Sequence, residues 1–229
     1  MRIFTPLLVA MGLLATTGVA EEPATTAAVN LLPGKSAAPG AVQRLVLAHA
    51  LRAKAVAGRD ALTALAAARL AQGIVLNAAP DLVPNPAPPQ PASAPQASAI
   101  PLPEAIFDLA RDLAAGDDLL LEMIEREESQ GRSAPPETAN RALSSLALGQ
   151  SETWRIALFG SDPAEIGLIG ESALGLTLEV TDDSQHPVCR APAAFDQALC
   201  AFVPARNGFF NATVTNTGAM AGSYWLLTN

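Results

Sequence analysis

The sequence predicts an α+β protein in which N-terminal helical hairpins precede a C-terminal antiparallel β-sandwich with one disulfide. Eight of the ten aromatic residues lie at or after Trp154, and large aromatic side chains favour strands. The chain before that point is rich in alanine and leucine, which favour helices. The two cysteines, Cys189 and Cys200, both lie in the aromatic part. The change in composition places the boundary near residues 141–150.

Residues 1–20 have the pattern of a secretory signal peptide. Arg2 supplies the charged region, residues 6–14 form a short apolar run, and small residues at 18–20 precede Glu21. The run is too short to span a bilayer, so we expect no membrane span once the signal is cleaved. The alternative is an uncleaved N-terminal anchor. A cleaved signal predicts a periplasmic or extracellular protein.

Two further segments are predicted to lack regular structure. Residues 21–38 show no hydrophobic periodicity and are predicted to be flexible. Residues 80–103 contain nine prolines, and proline at this density favours an extended, semi-rigid linker. The alternative for the proline-rich linker is a recognition peptide, although it contains no clear ligand motif.

Residues 39–79 predict the first helical hairpin, within a helical region that extends over 39–140. Gly58 interrupts the first helix, and Asp60 is placed to cap the second, which ends at Gly73. Side chains at steps of three and four predict the buried face of each helix. These are Val42, Leu45, Val46, His49, Ala53 and Val56 on the first helix, and Leu62, Leu65, Ala66, Arg69 and Leu70 on the second.

Residues 101–140 predict the second hairpin. Pro103 begins the third helix at a position where proline is tolerated. Asp117 or Asp118 is placed to cap the fourth helix, which ends by Gly131.

The two hairpins carry opposite charge. Residues 39–79 contain five basic side chains and one acid, whereas residues 101–140 contain ten acids and three arginines. We expect the hairpins to pack together as a small four-helix unit, because neither hairpin alone buries enough apolar surface to be stable. The alternative is two separate solvated faces.

The last third of the chain alternates apolar and polar residues as strands do. Clusters of Asp, Asn, Gly and Ser separate the alternating segments and predict turns. Several short strands joined by regular turns are typical of an antiparallel sandwich. The predicted strands contain Trp154 to Leu158, Leu174 to Val180, Ala198 to Val203, Phe209 to Thr215 and Tyr224 to Leu227.

Cys189 and Cys200 are predicted to form a disulfide, since an exported chain folds in an oxidising compartment. In the chain-entropy description a loop this short contributes about 3 kcal/mol. A metal site is the alternative. His186 would be the nearest nitrogen ligand, and structural zinc requires four ligands. We therefore expect no metal cofactor at the cysteines.

Residues 148–229 resemble the bacterial pre-peptidase C-terminal domain, a small β-sandwich found beside secreted peptidases and in other exported proteins. The family pattern has an apolar strand ending in Asp, an aromatic–x–Pro step, a Gly–aromatic strand start, an Asn–x–Gly turn and a final Tyr–x–Leu. The matching positions are Asp182, Phe202 to Pro204, Gly208 and Phe209, Asn216 to Gly218, and Tyr224 to Leu226.

The resemblance also implies a candidate calcium site, because some members of the family bind calcium through acids on the first of these strands. Here the matching positions are Gly175 and Thr177, and Asp182 with Asp183 are the acids left as weak calcium candidates. Calcium prefers six or more oxygen ligands, so the alternative is a solvated turn. We expect no cofactor.

The function predicted from the sequence is that of an exported, non-catalytic accessory or interaction protein at the cell envelope. The chain lacks an H-E-x-x-H, a P-loop and a G-x-G-x-x-G motif, and its two histidines, His49 and His186, have no obvious catalytic partners in the sequence. The net charge of −8 argues against nucleic acid as a partner. The alternative is a small secreted hydrolase or an accessory fragment of a peptidase system.

The candidate binding surface consists of two aromatic pairs, Phe209 with Phe210 and Tyr224 with Trp225. Neighbouring side chains of a strand point to opposite faces, so one member of each pair faces away from the sandwich core. An uncovered aromatic side chain there predicts a contact site for an envelope protein or a glycan. The alternative is that the helices cover it.

Overall fold

The computed structural model describes residues 28–35, 38–85, 100, 102–131, 135–170, 174–192 and 197–229. The signal peptide predicted at residues 1–20 and most of the proline-rich linker lie outside these residues.

The described residues contain four helices and nine strands. The helices are α1 (Ala41–Gly58), α2 (Ala61–Ala71), α3 (Pro103–Leu113) and α4 (Asp118–Gly131). The strands are β1 (Ile74–Ala78), β2 (Glu137–Leu146), β3 (Ser151–Leu158), β4 (Ala164–Gly170), β5 (Leu176–Asp182), β6 (Pro187–Pro192), β7 (Gln197–Phe202), β8 (Gly208–Asn216) and β9 (Gly222–Thr228).

The strands form a sandwich of two sheets, which confirms the predicted α+β fold class. Sheet A has the order β1-β2-β9-β4-β7, and sheet B has the order β3-β8-β5-β6. Neighbouring strands pair antiparallel except β1 and β2, which are parallel. The inner faces of both sheets bury a core of large apolar side chains. Its fully buried members include Trp154, Leu168, Leu176, Leu178, Phe210, Tyr224 and Leu226.

The helices form a third layer on the outer face of sheet A. The helical core includes Ile106, Phe107 and Ile124, and it continues directly onto Ile169 and Leu227 of sheet A. The four predicted helices therefore pack together, but not as an assembly separate from the sandwich. The strands supply part of the apolar surface that the helices bury.

Alanine, rather than larger residues, forms much of the buried face of the first two helices. In α1 the buried positions include Ala48 and Ala55, whereas Ala53 and Val56, predicted to be buried, are exposed. Residue Leu62 of α2 is 53% exposed. Small side chains let helix axes approach closely, so α2 turns its alanine-rich side toward its neighbours and leaves Leu62 in solvent. The buried residues of α2 are Ala61, Ala64, Leu65, Ala67, Ala68 and Ala71.

A buried carboxylate from sheet A caps helix α1. The N-cap residue Gly40 has no side chain to accept hydrogen bonds, and Glu165 of β4 takes over this role. Its carboxylate accepts from the backbone N–H groups of Gly40 (2.7 Å), Val42 (3.0 Å) and Gln43 (3.1 Å). A negative charge at a helix N-terminus is favourable. Glu165 thus joins the helical layer to the sandwich.

The N-caps of α2 and α4 are aspartates that the sequence predicts for this role. Asp60 accepts hydrogen bonds from the backbone N–H groups of Leu62 and Thr63 at the start of α2. Asp117, rather than Asp118, caps α4 through the N–H groups of Leu119 and Leu120. No described helix combines the length and the apolar character that a membrane crossing requires.

Strands β1 and β2 lie wholly or partly inside the region predicted to be helical. Strand β1 falls inside the predicted helical region 39–140, and β2 begins at Glu137, before the predicted boundary. Their parallel pairing joins segments that are far apart in the chain, from Ile74 opposite Glu137 to Ala78 opposite Arg141. A pairing at this distance leaves no local periodic signal.

Residues 28–35, which fall inside the segment predicted to be flexible, lie on the sandwich instead. Asn30 is 1% exposed, and its side chain exchanges two hydrogen bonds with the backbone of Arg206. The backbone N–H of Asn30 donates to Asp182, and that of Leu32 donates to the Val203 carbonyl. Hydrogen bonding rather than apolar periodicity orders this segment.

The predicted disulfide is present and ties the two sheets together along one side. Cys189 of β6 and Cys200 of β7 are bonded with their Cα atoms 5.9 Å apart. Strand β6 is one edge of sheet B and β7 is one edge of sheet A.

Removal of the Glu165 cap is expected to destabilise the protein. Glu165→Ala leaves three N–H groups at the start of α1 without their carboxylate, so the free energy of unfolding falls by about 2 kcal/mol. Glu165→Gln keeps an accepting oxygen but loses the charge, and we expect a loss of roughly half that size. Urea unfolding measures both. Glu179→Gln on the exposed side of β5 is the matched control and changes stability by less than about 0.5 kcal/mol. An equal effect of Gln at both positions would contradict the capping role.

Loss of the disulfide is expected to lower the free energy of unfolding by about 3 kcal/mol, because the open loop restores freedom to the unfolded chain. The double substitution Cys189→Ala with Cys200→Ala tests this by urea unfolding. Dithiothreitol should destabilise the natural protein and leave the double variant unchanged. Equal stability of the two proteins without reductant would show that the bond contributes nothing.

Candidate functional site

A groove of about 570 Å³ lies on the side of the sandwich opposite the disulfide. One wall is strand β2, and the other is the segment that leaves β1 and crosses to β3. That segment is held at both ends, because Ala79 donates its N–H to the Arg141 carbonyl (3.0 Å) and Asn85 donates to the Thr153 carbonyl (2.7 Å). The lining consists of Ala78, Ala79, Pro80, Leu82, Val83, Pro84, Arg141, Ala142, Leu143, Ser144, Trp154 and Trp225.

The outer part of the groove combines aromatic, apolar and cationic groups. Leu143 of β2 lies opposite Trp225 of β9, so both side chains share the outer face of sheet A. The guanidinium carbon of Arg141 lies 5.0 Å from the centre of the Trp225 ring, a cation–π arrangement. Leu143 is 49% exposed and Val83 is 63% exposed. Among the described residues that line the groove, Arg141 is the one charged side chain.

A buried polar network lies behind the groove. Ser144 and Trp154 reach the groove, and both connect inward to Glu152, which is 3% exposed. The Ser144 hydroxyl donates to the Glu152 carboxylate (3.0 Å), and the Tyr224 hydroxyl donates to its other oxygen. The Trp154 ring N–H donates to the Tyr224 hydroxyl (2.7 Å). These bonds link β2 and β9 of sheet A to β3 of sheet B.

Burial dominates the ionisation of this network. It raises the pKa of the Glu152 carboxyl, although the hydrogen bonds from Tyr224 and Ser144 act in the opposite direction. Burial also raises the pKa of Tyr224 well above its usual value, and the adjacent Glu152 charge adds to this effect. The Tyr224 hydroxyl is therefore a hydrogen-bond donor and not a base.

In each of the two aromatic pairs, one ring is buried in the core and the other lies at the surface of a sheet. Phe210 and Tyr224 are fully buried inside the sandwich. Trp225 faces the groove on sheet A, where it also packs partly against the helical core. Phe209 is 41% exposed on sheet B, with the Arg155 guanidinium carbon 3.5 Å from its ring centre. The structure does not bring Phe209 and Trp225 together, because they lie on different sheets.

Of the two calcium candidates, Asp182 and Asp183, the first binds backbone N–H groups and the second lies in solvent. Asp182 is fully buried and accepts hydrogen bonds from the N–H groups of Asn30, Ser184 and His186, each at 2.9 Å. Burial raises the pKa of the Asp182 carboxyl, but these bonds outweigh burial and hold the pKa below its usual value. Asp183 is exposed. Over the described part of the chain, no three His, Cys, Asp or Glu side chains form a group that could hold a metal ion.

The two histidines lie apart from the groove. His186 Nδ1 is 3.4 Å from the Asp182 carboxylate, at the end of the turn that Asp182 organises. His49 is half-buried on α1 and lines a cavity of about 10 Å³, which is too small for a substrate.

Sequence reasoning identified Trp225 as a surface candidate but missed Arg141, Leu143 and Ser144. All three lie on β2, whose first four residues, 137–140, fall inside the predicted helical region. The alternation of Ala139, Arg141 and Leu143 with Asn140, Ala142 and Ser144 was the available signal, but it is weak because both faces contain small or polar residues.

Comparison with known proteins gives a likeness in fold over part of the chain. No protein-family model matches, and no curated protein matches. The pre-peptidase C-terminal domain of a collagenase from Bacillus anthracis is 16% identical with a TM-score of 0.32, and the match covers 38% of this chain and 88% of that domain. A periplasmic inhibitor of g-type lysozyme from Aeromonas hydrophila is 9% identical with a TM-score of 0.30, covering 40% and 84%.

A third solved structure, a carbohydrate-binding module in complex with β-1,4-galactotriose, is 14% identical with a TM-score of 0.22, covering 36% of this chain and 63% of that one. Identities and TM-scores this low carry no argument about function. Membership of the pre-peptidase C-terminal family stays a prediction from the sequence resemblance.

The raised pKa of Glu152 is expected to make stability depend on pH. Between about pH 4.5, the usual pKa of a glutamate, and the raised pKa of Glu152 in the folded protein, the unfolded chain releases the proton that the folded protein keeps, so the free energy of unfolding falls as the pH rises. The stabilisation that comes from protonated Glu152 is fully present below about pH 4.5. It is lost as the pH rises toward the raised pKa of the folded protein, by up to about 1.4 kcal/mol per pH unit. Urea unfolding between pH 4 and pH 7 measures it.

Glu152→Gln removes the titrating group and keeps partners for Ser144 and Tyr224. We expect the stability of the natural protein relative to this variant to decline through that interval. Glu179→Gln is the matched control and should follow the natural protein at every pH. Parallel curves for Glu152→Gln and the natural protein would contradict the assignment.

Proposed function

We propose that the chain is an exported, non-catalytic accessory protein that binds a protein or a glycan at the cell envelope through the groove beside Trp225. The groove carries this proposal. It places a half-buried tryptophan, a stacked arginine and exposed aliphatic side chains around a volume in the range typical of ligand sites.

Three features support the choice of this groove over the other sequence candidates. Aromatic side chains and arginine are enriched among the residues that dominate binding energies. Trp225 and Arg141 are already oriented by their mutual contact, so binding orders fewer side chains. Phe209 also has an arginine, Arg155, over its ring, but Phe209 does not line this groove.

The periplasmic or extracellular location belongs to the same proposal. The disulfide between Cys189 and Cys200 is compatible with an oxidising compartment outside the cytoplasm. The predicted signal peptide lies outside the described residues.

Substitution of Trp225 is expected to abolish partner binding. The tagged full chain and its Trp225→Ala variant are used to capture partners from a periplasmic extract after mild crosslinking, and the same pair is applied to an array of envelope glycans. Loss of the indole removes the main apolar contact, so we expect recovery to fall at least about tenfold.

Phe209→Ala is the matched control, since it removes an exposed aromatic ring from the other sheet. It should recover the same partners as the natural protein. Both variants are first checked for an unchanged thermal midpoint. Equal recovery by the Trp225→Ala and Phe209→Ala variants would count against the groove.

A secreted hydrolase is the second candidate, and one contact favours it. His186 Nδ1 lies 3.4 Å from the Asp182 carboxylate, which is the arrangement of a histidine oriented by an acid. Asp182 is, however, engaged by three backbone N–H groups that organise its turn. Hydrolysis of a protein or glycan substrate by the purified chain, lost in His186→Ala, would favour this candidate.

A further inference from the structure

The outer edges of a sheet can pair with another chain unless something prevents it, because their N–H and C=O groups are unpaired. In sheet B the edge strand β6 contains Pro187 and Pro192, and its pairing with β5 shifts register after Val180. Proline and irregular pairing both discourage strand addition. The other edge of sheet B, β3, is covered where Asn85 donates to the Thr153 carbonyl.

Sheet A ends at strands β7 and β1. Strand β7 is tied to β6 by the disulfide and lies against helix α1. At the opposite border, β1 covers β2 from Glu137 to Arg141. Beyond this point the chain turns away toward β3, so β1 does not cover residues 142–146 of β2.

The uncovered half of β2 lacks the usual protection of an edge. Its sequence is Ala-Leu-Ser-Ser-Leu, with neither a charged residue nor a proline. Among the described strands it pairs with β9 on one side, and the groove borders its other side.

The direction of its backbone groups follows from the neighbouring pairing. The Arg141 carbonyl accepts the N–H of Ala79 and therefore points away from β9. Backbone groups two residues apart in a strand point the same way, so the N–H and C=O of Leu143 also point away from β9 toward the groove. A polypeptide placed there would continue the line of β1.

We propose that this open edge receives an extended, acidic segment of a partner protein, which adds to sheet A beside Leu143. The proposal rests on the function proposed above and names the class of partner that the groove would take. Backbone hydrogen bonds to Leu143 would supply the pairing, and pockets for alternate side chains would supply selectivity.

Charge and polarity set the chemistry of the segment. A side chain opposite Leu143 lies on the outer face of sheet A, diagonal to Arg141, where a carboxylate would meet the guanidinium. The residues before and after it would point to the opposite face, where apolar side chains would meet Ala142 and Trp154 in the groove. A glycan could stack on Trp225, but it has no amide spacing that matches the edge of a strand.

The experiment selects short random peptides, displayed on phage, against the full chain and then measures one enriched peptide by fluorescence anisotropy. We expect enrichment of sequences in which an acidic residue lies among alternating apolar residues. Leu143→Pro removes the N–H that points into the groove and leaves the bonds between β2 and β9 in place, so it should weaken the peptide at least about tenfold. Leu143→Ala keeps the N–H and is the matched control, with an effect below about threefold.

Arg141→Ala tests the charge. It should weaken the acidic peptide, and the loss should shrink in high salt. Peptides N-methylated at one amide at a time are measured against the natural protein, which needs no variant to fold. Strand addition predicts lost binding at alternate amides only.

Three results would overturn the proposal: no acidic peptide is enriched, Leu143→Pro binds as Leu143→Ala does, or every N-methylated peptide binds equally. A natural chain that sediments as a dimer, with a monomeric Leu143→Pro variant, would show a second copy at the edge and would also overturn it. If Trp225→Ala abolishes partner capture and Leu143→Pro does not, the proposed function stands and strand addition is wrong. If the natural chain captures no partner, the proposed function itself fails.

Discussion

A two-layered sandwich has to be closed along the two sides where the edges of its sheets meet, and this chain closes them by different means. On one side, Cys189 and Cys200 join the edge strands covalently. On the other, the link is polar, through the hydrogen bond between Ser144 of β2 and Glu152 of β3 and the crossing segment that ends at Asn85. The second closure leaves room between the sheets, and the groove lies there.

The helical layer determines which part of sheet A stays accessible. Helix α1 lies against β4, where Gly167 permits a close approach: a Cβ atom there would come within 2.7 Å of Val42. Glu165, two residues earlier, caps the same helix. Both contacts hold α1 over β4, so the helices cover the centre of the sheet while Leu143 stays exposed at its border.

Local signals in the sequence account for most of the elements. Alternation predicts five of the seven strands from Ser151 onward and misses β4 and β6, side chains such as Asp60 and Asp117 predict helix starts, and the two cysteines predict their bond. Long-range pairing has no such signal. Strand β1 has only five residues, and its partner in β2 lies more than a helical hairpin away, so neither could be assigned before the other was placed. The docking of Asn30 on Asp182 is likewise a contact between distant segments.

The same distinction explains what could be predicted of the site. Alternation alone shows that one of Tyr224 and Trp225 must point outward, but the neighbours of Trp225 depend on the register between β2 and β9. Strand β2 is also held from two other directions. The Arg141 carbonyl accepts a hydrogen bond from the Ala79 N–H, and the Ser144 hydroxyl donates one to the buried Glu152 carboxylate. Leu143 lies between these two anchors, so its outward backbone groups are fixed by folding. In the binding that we propose, the partner would meet an edge that is already ordered, which removes the entropy cost of ordering the edge itself.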